Sequence, residues 1–232
     1  MSKVACFILS YEITKGMKSF GPIGLLKANA SARELILCQI DSLYKIFDNP
    51  DIFIVSGFGS EKLDKKLPEK ISTIVNSEYE NKNHGYALKL ILSKIDIGKY
   101  SGCFIVNGGT LIKNSGSKNT KLPFNNSWIL SQKNKKHPSR TKYMGAVTNE
   151  RGNLDYIFYD IGDHVWCGSF YLCKQDITKL KLSINSFYDN MFLFEIINRS
   201  ISSHQIQFSQ VVFPPESISI ITGMKDKYKI KE

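Results

Sequence analysis

The sequence predicts an α/β fold, a three-layer sandwich in which helices flank a mixed, mostly parallel central sheet. Three observations predict it. Apolar runs of strand length alternate with helical patterns through residues 1–112. Two of those helical patterns carry a single apolar face, as helices lying on a sheet do. Beyond residue 112 short strands follow one another across polar loops, which adds antiparallel pieces to the parallel part.

Val4–Leu9 reads as a buried first strand; no small-residue cleavage site follows it, so it does not read as a leader. Ser31–Phe47 reads as an amphipathic helix with Leu35, Ile36, Ile40, Leu43 and Ile46 on one face, and Ser31 with Glu34 suggests a capping-box start. Asp51–Ser56 is the second strand, closed by Gly57 and Gly59. Glu61–Leu67 is a short helix ended by Pro68, and Ile71–Asn76 is the third strand. Gly85–Ile95 is a second amphipathic helix, and Cys103–Val106 a fourth strand before Gly108-Gly109. The second half offers strands at Trp128–Gln132, Tyr143–Thr148, Leu154–Tyr159 and Ser169–Cys173, a helix at Ser186–Arg199, and strands at Gln205–Phe213 and Ser217–Ile221. No linker is long enough to demand two domains, so 1–232 is expected to be one.

With 42% hydrophobic residues the chain can build a core. No stretch approaches the ~20 apolar residues that span a bilayer, so no membrane partner is expected. The five cysteines are odd in number and form no C-x-x-C pair, which reads as free buried thiols and a cytoplasmic setting, or a particle assembled in one. The formal charge of +10, from 31 basic and 21 acidic residues, favours anionic partners. AT-rich coding, visible as abundant Lys, Asn and Ile, is the competing source of that charge. Zinc-finger spacing, RNP motifs and basic heptads are absent, so nucleic acid stays open only as a charge-driven partner. Two basic polar stretches, Lys113–Lys121 and Lys133–Lys142, read as solvated hairpin tips, with a phosphate-contacting flap as the functional alternative.

Few side chains group into chemistry. Asp155, Asp160, Asp163 and His164 cluster in LDYIFYDIGDH, which reads as a polar turn around Gly162 or as a metal or general-base site. His84, His137 and His204 lack ligand spacing and are expected at the surface. Cys167 is expected in the core. Tyr86, Tyr143, Phe158, Tyr159 and Trp166 are expected to form core and rim, or to line a cleft.

VNSEYENKNHGYALKLIL (75–92) followed by FIVNGGTLI (104–112) resembles the nucleotidyltransferases that activate sugar phosphates and phosphocholine. There a strand ends at Asn, an Asn-rich turn opens a helix, and the next strand delivers Gly-Asp. The opening is similar too: ILS (8–10) and KGMKSFGPIGLLK (15–27) stand where the family has G-x-G-x-R and then K-P-L-L, and DIFIVSGFGSEKL (51–63) matches its second strand and helix. WCGSFYL (166–172) stands at its acceptor-side strand. The resemblance covers Lys3–Leu111 well and implies a nucleotide-diphospho-sugar transferase fold, a nucleotide-binding half at 1–112 and an acceptor-side half at 113–232. It carries nucleotide binding onto Gly16, Lys18, Gly21, Gly108 and Gly109.

In that family two carboxylates hold magnesium against the α-phosphate. Here Gly109 replaces the first, Ile221-Thr222-Gly223 replaces the late I-D-T-P-x-D motif, Lys18 stands for the loop arginine, and the signature lysine is missing with Lys27 close by. The implied reading is a domain that has lost catalysis, with no cofactor and no metal site, serving as a binding or structural subunit among protein partners in a larger assembly, a virus particle included. The alternative is an active transferase that joins an NTP to a sugar phosphate or phosphocholine with magnesium, using Lys18, Lys27, Asp160 and Asp163. A glycosyltransferase stands last, because no D-x-D pair follows the fourth strand.

Overall fold

The computed structural model describes residues 3–13, 18–28, 33–113, 122–133, 143–214 and 217–221. β1 (Lys3–Ser10) is buried at every position after Lys3. A strand covered on both faces has to be apolar throughout, and VACFIL is. β2 (Asp51–Ser56) pairs with it in parallel, residue for residue from Ala5 opposite Asp51 to Ser10 opposite Ser56, and β3 (Ser72–Val75) continues that edge in parallel. On the other flank β4 (Tyr100–Asn107) is also parallel to β1.

β5 (Thr110–Ile112) leaves the main sheet immediately after β4. The later strands are β6 (Ser127–Lys133), β7 (Met144–Thr148), β8 (Leu154–Tyr159), β9 (His164–Cys173), β10 (Phe208–Phe213) and β11 (Ile218–Ile220). The main path runs β10-β6-β9-β4-β1-β2-β3, and along it β9 alone opposes its neighbours. The β7–β8 hairpin hangs from β9, and β5 pairs antiparallel with β11 in a small second sheet. The mixed, mostly parallel sheet therefore has the predicted form.

Alternation along β1 builds the three layers. Ala5, Phe7 and Leu9 face one core, against Leu88 and Ile91 of α3 (His84–Lys94), Ile177 of α4 (Lys174–Ser183) and Ile196 of α5 (Leu193–Ser202). Val4, Cys6 and Ile8 face the other core, with Ile36, Ile40 and Leu43 of α1 (Leu35–Ile46) and Leu63 of α2 (Ser60–Asp64). All five cysteines are free, and Cys167 is fully buried as expected. Among the described residues no helix is long and apolar enough to cross a membrane.

Three elements differ from expectation. Ser31 lies outside the described residues, and Glu34 is the N-cap of α1 in extended conformation rather than its third residue. Its carboxylate turns to Lys27 (2.8 Å) and Lys66 (3.7 Å), so it closes no capping box. α4 was not anticipated, because KQDITKLKLS buries only Asp176, Ile177 and Leu180 and shows too little apolar periodicity. α5 begins at Leu193 instead of Ser186, because the preceding residues cross the start of α3. His84, expected at the surface, is the first residue of α3 and is buried.

β4 and β9 meet at a close approach. Gly102 pairs with Cys173, and a Cβ on Gly102 would run into the ring and hydroxyl of Tyr171 and stand 2.6 Å from the Leu172 carbonyl oxygen. Tyr171 cannot yield, because it stacks on Trp128 at 5.4 Å and bonds the Phe124 carbonyl at 3.2 Å. Gly102→Ala is expected to lower stability by about 3 kcal/mol, an overpacking cost at its upper range. Gly152→Ala, at φ +76° with open space around it, should lose only about 1 kcal/mol through backbone strain alone. Urea unfolding of the two variants measures the difference.

Candidate functional site

Open α/β sheets bind ligands beyond the carboxyl ends of their strands. β1, β2 and β3 all end at one such edge. The chain leaving β1 (11–13), the β3–α3 loop (79–83) and Asn190 enclose a cleft of about 440 Å³ there. Its described lining carries Tyr11 and Tyr79, Glu12 and Glu80, Lys82, and the amides of Asn81, Asn83 and Asn190.

The strand ends at this edge are polar and incompletely bonded. Ser10 closes β1, Ser56 closes β2 and Asn76 follows β3, all fully buried. Ser10 Oγ, Ser56 Oγ and Asn76 Nδ2 have no hydrogen-bond partner among the described residues, and neither has the hydroxyl of Tyr11. Each such group costs about 1–3 kcal/mol when left unsatisfied, so a cluster of them at one edge marks a place where something polar belongs.

His84 lies buried at the start of α3, next to Glu12 of the cleft lining. Asn83 caps α3, its side-chain oxygen accepting from the His84 backbone N–H at 2.9 Å. The imidazole lies between Tyr11 (5.9 Å between centroids) and Phe192 (6.0 Å). Its Nε2 stands 3.2 Å from Glu12 Oε1 but is misaligned, so neither ring nitrogen is hydrogen-bonded. Burial lowers the His84 pKa to about 4 and keeps the ring neutral at pH 7. Burial also raises the Glu12 carboxyl, and the Tyr11 phenol with the help of the Glu12 charge.

The residues named from sequence lie as follows. Gly16 is outside the described residues. Lys18 opens an exposed 3₁₀ turn ending at Phe20, and Gly21 follows at φ +89°. Two residues on, Ile23 packs over both Gly108 and Gly109, 3.2 Å from where a Cβ of either would stand. The Gly108 N–H donates to the Leu9 carbonyl at 2.9 Å, so this turn sits beside the end of β1. Lys27 is engaged by Glu34. Asp160, at φ +55°, accepts from the Tyr143 N–H at 3.0 Å and clasps the open end of the β7–β8 hairpin. Asp163 lies in the exposed turn before β9. Since Ser169 pairs with Val106 near the end of β4, Asp163 is six residues beyond that pair, about 20 Å along an extended strand at ~3.3 Å per residue.

Gly109, where the resemblance puts the first magnesium carboxylate, meets Ile221, which stands at the isoleucine of the late I-D-T-P-x-D motif. The Ile221 N–H donates to the Gly109 carbonyl at 2.8 Å, and the Ile221 carbonyl fills the space a side chain at 109 would enter. The Asn107 side chain accepts from the Gly109 N–H at 3.0 Å. Gln39 Nε2 donates to the carbonyls of Gly108 (3.1 Å) and Thr110 (2.8 Å). Magnesium requires carboxylate oxygens. Gly109 supplies none, and among the described residues no three His, Cys, Asp or Glu side chains stand together. The donor set of the described residues does not fit the ion. Thr222 and Gly223 lie outside the described residues.

Sequence reasoning did not single out Tyr11, Glu12, Asn190 or the buried state of His84. A signal existed: ILS, IVS and IVN each end an apolar strand on a polar residue at the same edge.

The fold has solved counterparts. The chain is similar to the CTP:phosphocholine cytidylyltransferase of Streptococcus pneumoniae, with a TM-score of 0.77, 17% identity, and 98% of this chain and 97% of that one covered. It is similar to the inositol-1-phosphate CTP transferase of T. maritima, with a TM-score of 0.71, 16% identity, and 99% and 97% covered. A nucleoside-diphosphate-sugar pyrophosphorylase of Vibrio cholerae gives a TM-score of 0.70 at 9% identity, over 97% and 98%. No protein-family model and no curated protein matches the sequence. The end-to-end likeness establishes the nucleotidyltransferase-like fold.

Two measurements probe this edge. Gly109→Asp is expected to lower stability by about 2 kcal/mol by forcing Ile221 aside, and magnesium should not restore the loss in a thermal melt. Acid should act through His84. Its folded pKa is below the unfolded value, so its contribution is complete above about pH 6.5 and is lost as pH falls toward about 4, on the order of 3 kcal/mol in all. The raised Glu12 carboxyl acts in the opposite sense just above its unfolded pKa. His84→Gln should therefore flatten the dependence of stability on pH between 6.5 and 4, read by urea unfolding across that range.

Proposed function

We propose that this chain is a nucleotidyltransferase-fold domain that binds a nucleoside or nucleotide in the cleft over β1–β3 without transferring a nucleotidyl group, and that it works as a binding subunit of a larger assembly. The observation that carries the reading is the Gly109–Ile221 contact. Where the resemblance puts the first of two acidic residues that hold a divalent ion, this chain has Gly109, closed by a backbone hydrogen bond from Ile221. Removing one group that stabilises transition-state charge costs ~10²–10³ in rate, and removing the ion's ligands removes most of the machinery.

Binding needs less. The cleft keeps amide side chains that both donate and accept, ring faces that stack, and a Tyr11 hydroxyl without a partner among the described residues. An assembly role draws support from the surface beside the cleft. Phe192 stacks on Phe194, Phe194 meets Tyr159 and Tyr159 meets Phe158, and Phe158, Tyr159 and Phe192 are all exposed. A contiguous aromatic strip of that kind marks interaction surfaces on soluble domains.

Calorimetric titration with the four ribonucleosides and their triphosphates should reveal binding of at least one. A coupled assay should detect no pyrophosphate from CTP or UTP with magnesium and sugar phosphates or phosphocholine. Magnesium-dependent release that Asp160→Asn or Asp163→Asn abolishes would replace this reading with an active transferase.

A further inference from the structure

The segment between the end of α4 and α5 crosses the start of α3 as a strap. Its backbone takes the helix's free donors: the N–H groups of Asn83 and Tyr86 donate to the Asp189 carbonyl, both at 3.1 Å, and that of Gly85 to the Met191 carbonyl at 3.0 Å. Lys89 Nζ adds a bond to the Phe187 carbonyl at 2.9 Å, and Arg199 lies over the rings of Phe187 (5.4 Å) and Tyr188 (5.8 Å). The strap is thus fixed before the Asp189 side chain contributes.

That side chain is bound twice, by Lys89 Nζ at 2.8 Å and by Lys82 Nζ at 3.1 Å. Lys89 alone would hold it. The bond to Lys82 is surplus to the strap, and Lys82 is the one cation among the described residues lining the cleft, which also holds Glu12 and Glu80. Lys82 is otherwise placed over the Tyr86 ring at 4.4 Å. Its side chain and that of Asp189 are each about one-third exposed, at 33% and 32%, so the pair can part into solvent at small cost.

We propose that Asp189 is an internal stand-in for the anionic group of a ligand, neutralising Lys82 so that a phosphate entering the cleft must displace the carboxylate to gain its cation. The inference rests on the reading that the cleft takes nucleosides. It makes Asp189 a specificity-determining residue that lowers the preference for phosphorylated over unphosphorylated ligands. Asp189 leans on Lys89 after release, so the exchange leaves the strap closed.

Calorimetric titration of the wild type, Asp189→Asn and the Asp189→Asn/Lys82→Gln double variant with the four nucleosides and their 5′-monophosphates tests it at low salt. Asp189→Asn should tighten the monophosphate about fivefold and leave the nucleoside unchanged. The gain should vanish in the double variant and at high salt, where screening removes it. A melting temperature close to wild type confirms that the strap has held. Equal changes for nucleoside and monophosphate, or none for either, would overturn the proposal. Inorganic pyrophosphate, titrated separately, distinguishes the two levels. If no nucleoside binds while Asp189→Asn takes up pyrophosphate that wild type does not, the exchange at Lys82 stands and the nucleoside reading falls. If pyrophosphate makes no distinction either, both fall.

Discussion

β1 is covered on both faces and hydrogen-bonded along both edges, and that double closure fixes where everything else can be. A buried peptide group must be paired, so β2 and β4 have to lie alongside it. A strand with no exposed face needs a layer above and another below, and the alternation Val4, Cys6, Ile8 against Ala5, Phe7, Leu9 supplies one side chain set to each. The chain can leave β1 only beyond Ser10, at the same edge where β2, β3 and β4 also end. The cleft and the Gly108-Gly109 turn are consequences of that shared edge. The Leu9 carbonyl is bonded to Gly108, and Tyr11, two residues on, lines the cleft.

At the edge, backbone and amide pairing closes the corner where the resemblance puts the first magnesium carboxylate. Asn107, Gln39 and the Ile221 N–H together satisfy the peptide groups from Asn107 to Thr110. Ile23 and Ile221 belong to one small apolar cluster with Leu26, Leu35 and Leu111. A carboxylate at 109 would meet the Ile221 carbonyl oxygen in an apolar setting, where an unpaired charge is expensive.

Much of the fold was legible in the sequence because its signals are local. DIFIVS and LDYIFY gave their strands to the residue, since continuous or alternating apolar runs leave little choice of period. α4 was not legible, because its inward face is two apolar residues and one aspartate that bonds Ser127 at 2.6 Å and Lys179 at 2.7 Å. The start of α5 was displaced for a tertiary reason. Residues 187–192 have acceptable helical character, but their carbonyls are used to cap α3, and a helix there would withdraw them. The site was half legible. The glycines of the 108–109 turn show in sequence, whereas the burial of His84 does not. Nothing near position 84 says that Tyr11 and Phe192, from 73 residues before and 108 after, will close over the ring.

That burial has a physical consequence for how the cleft can work. Tyr11, His84, Ser10, Ser56 and Asn76 contribute polar atoms that folding removes from water without giving partners in return. In a domain whose net stability is only about 5–15 kcal/mol, several such groups are a large sacrifice unless something recovers it. Their distribution says what could. These five stand at the ends of parallel strands or the first turn of α3; the other buried side-chain atoms without a partner among the described residues belong to Gln39, Trp128, Gln132, Ser169 and Gln210. A neutral imidazole and a phenol can each donate one hydrogen bond and accept another, whatever the ligand's charge. On the proposed reading, Tyr11 and His84 would offer those bonds to an uncharged ring system, and the Lys82–Asp189 pair would sort ligands by charge.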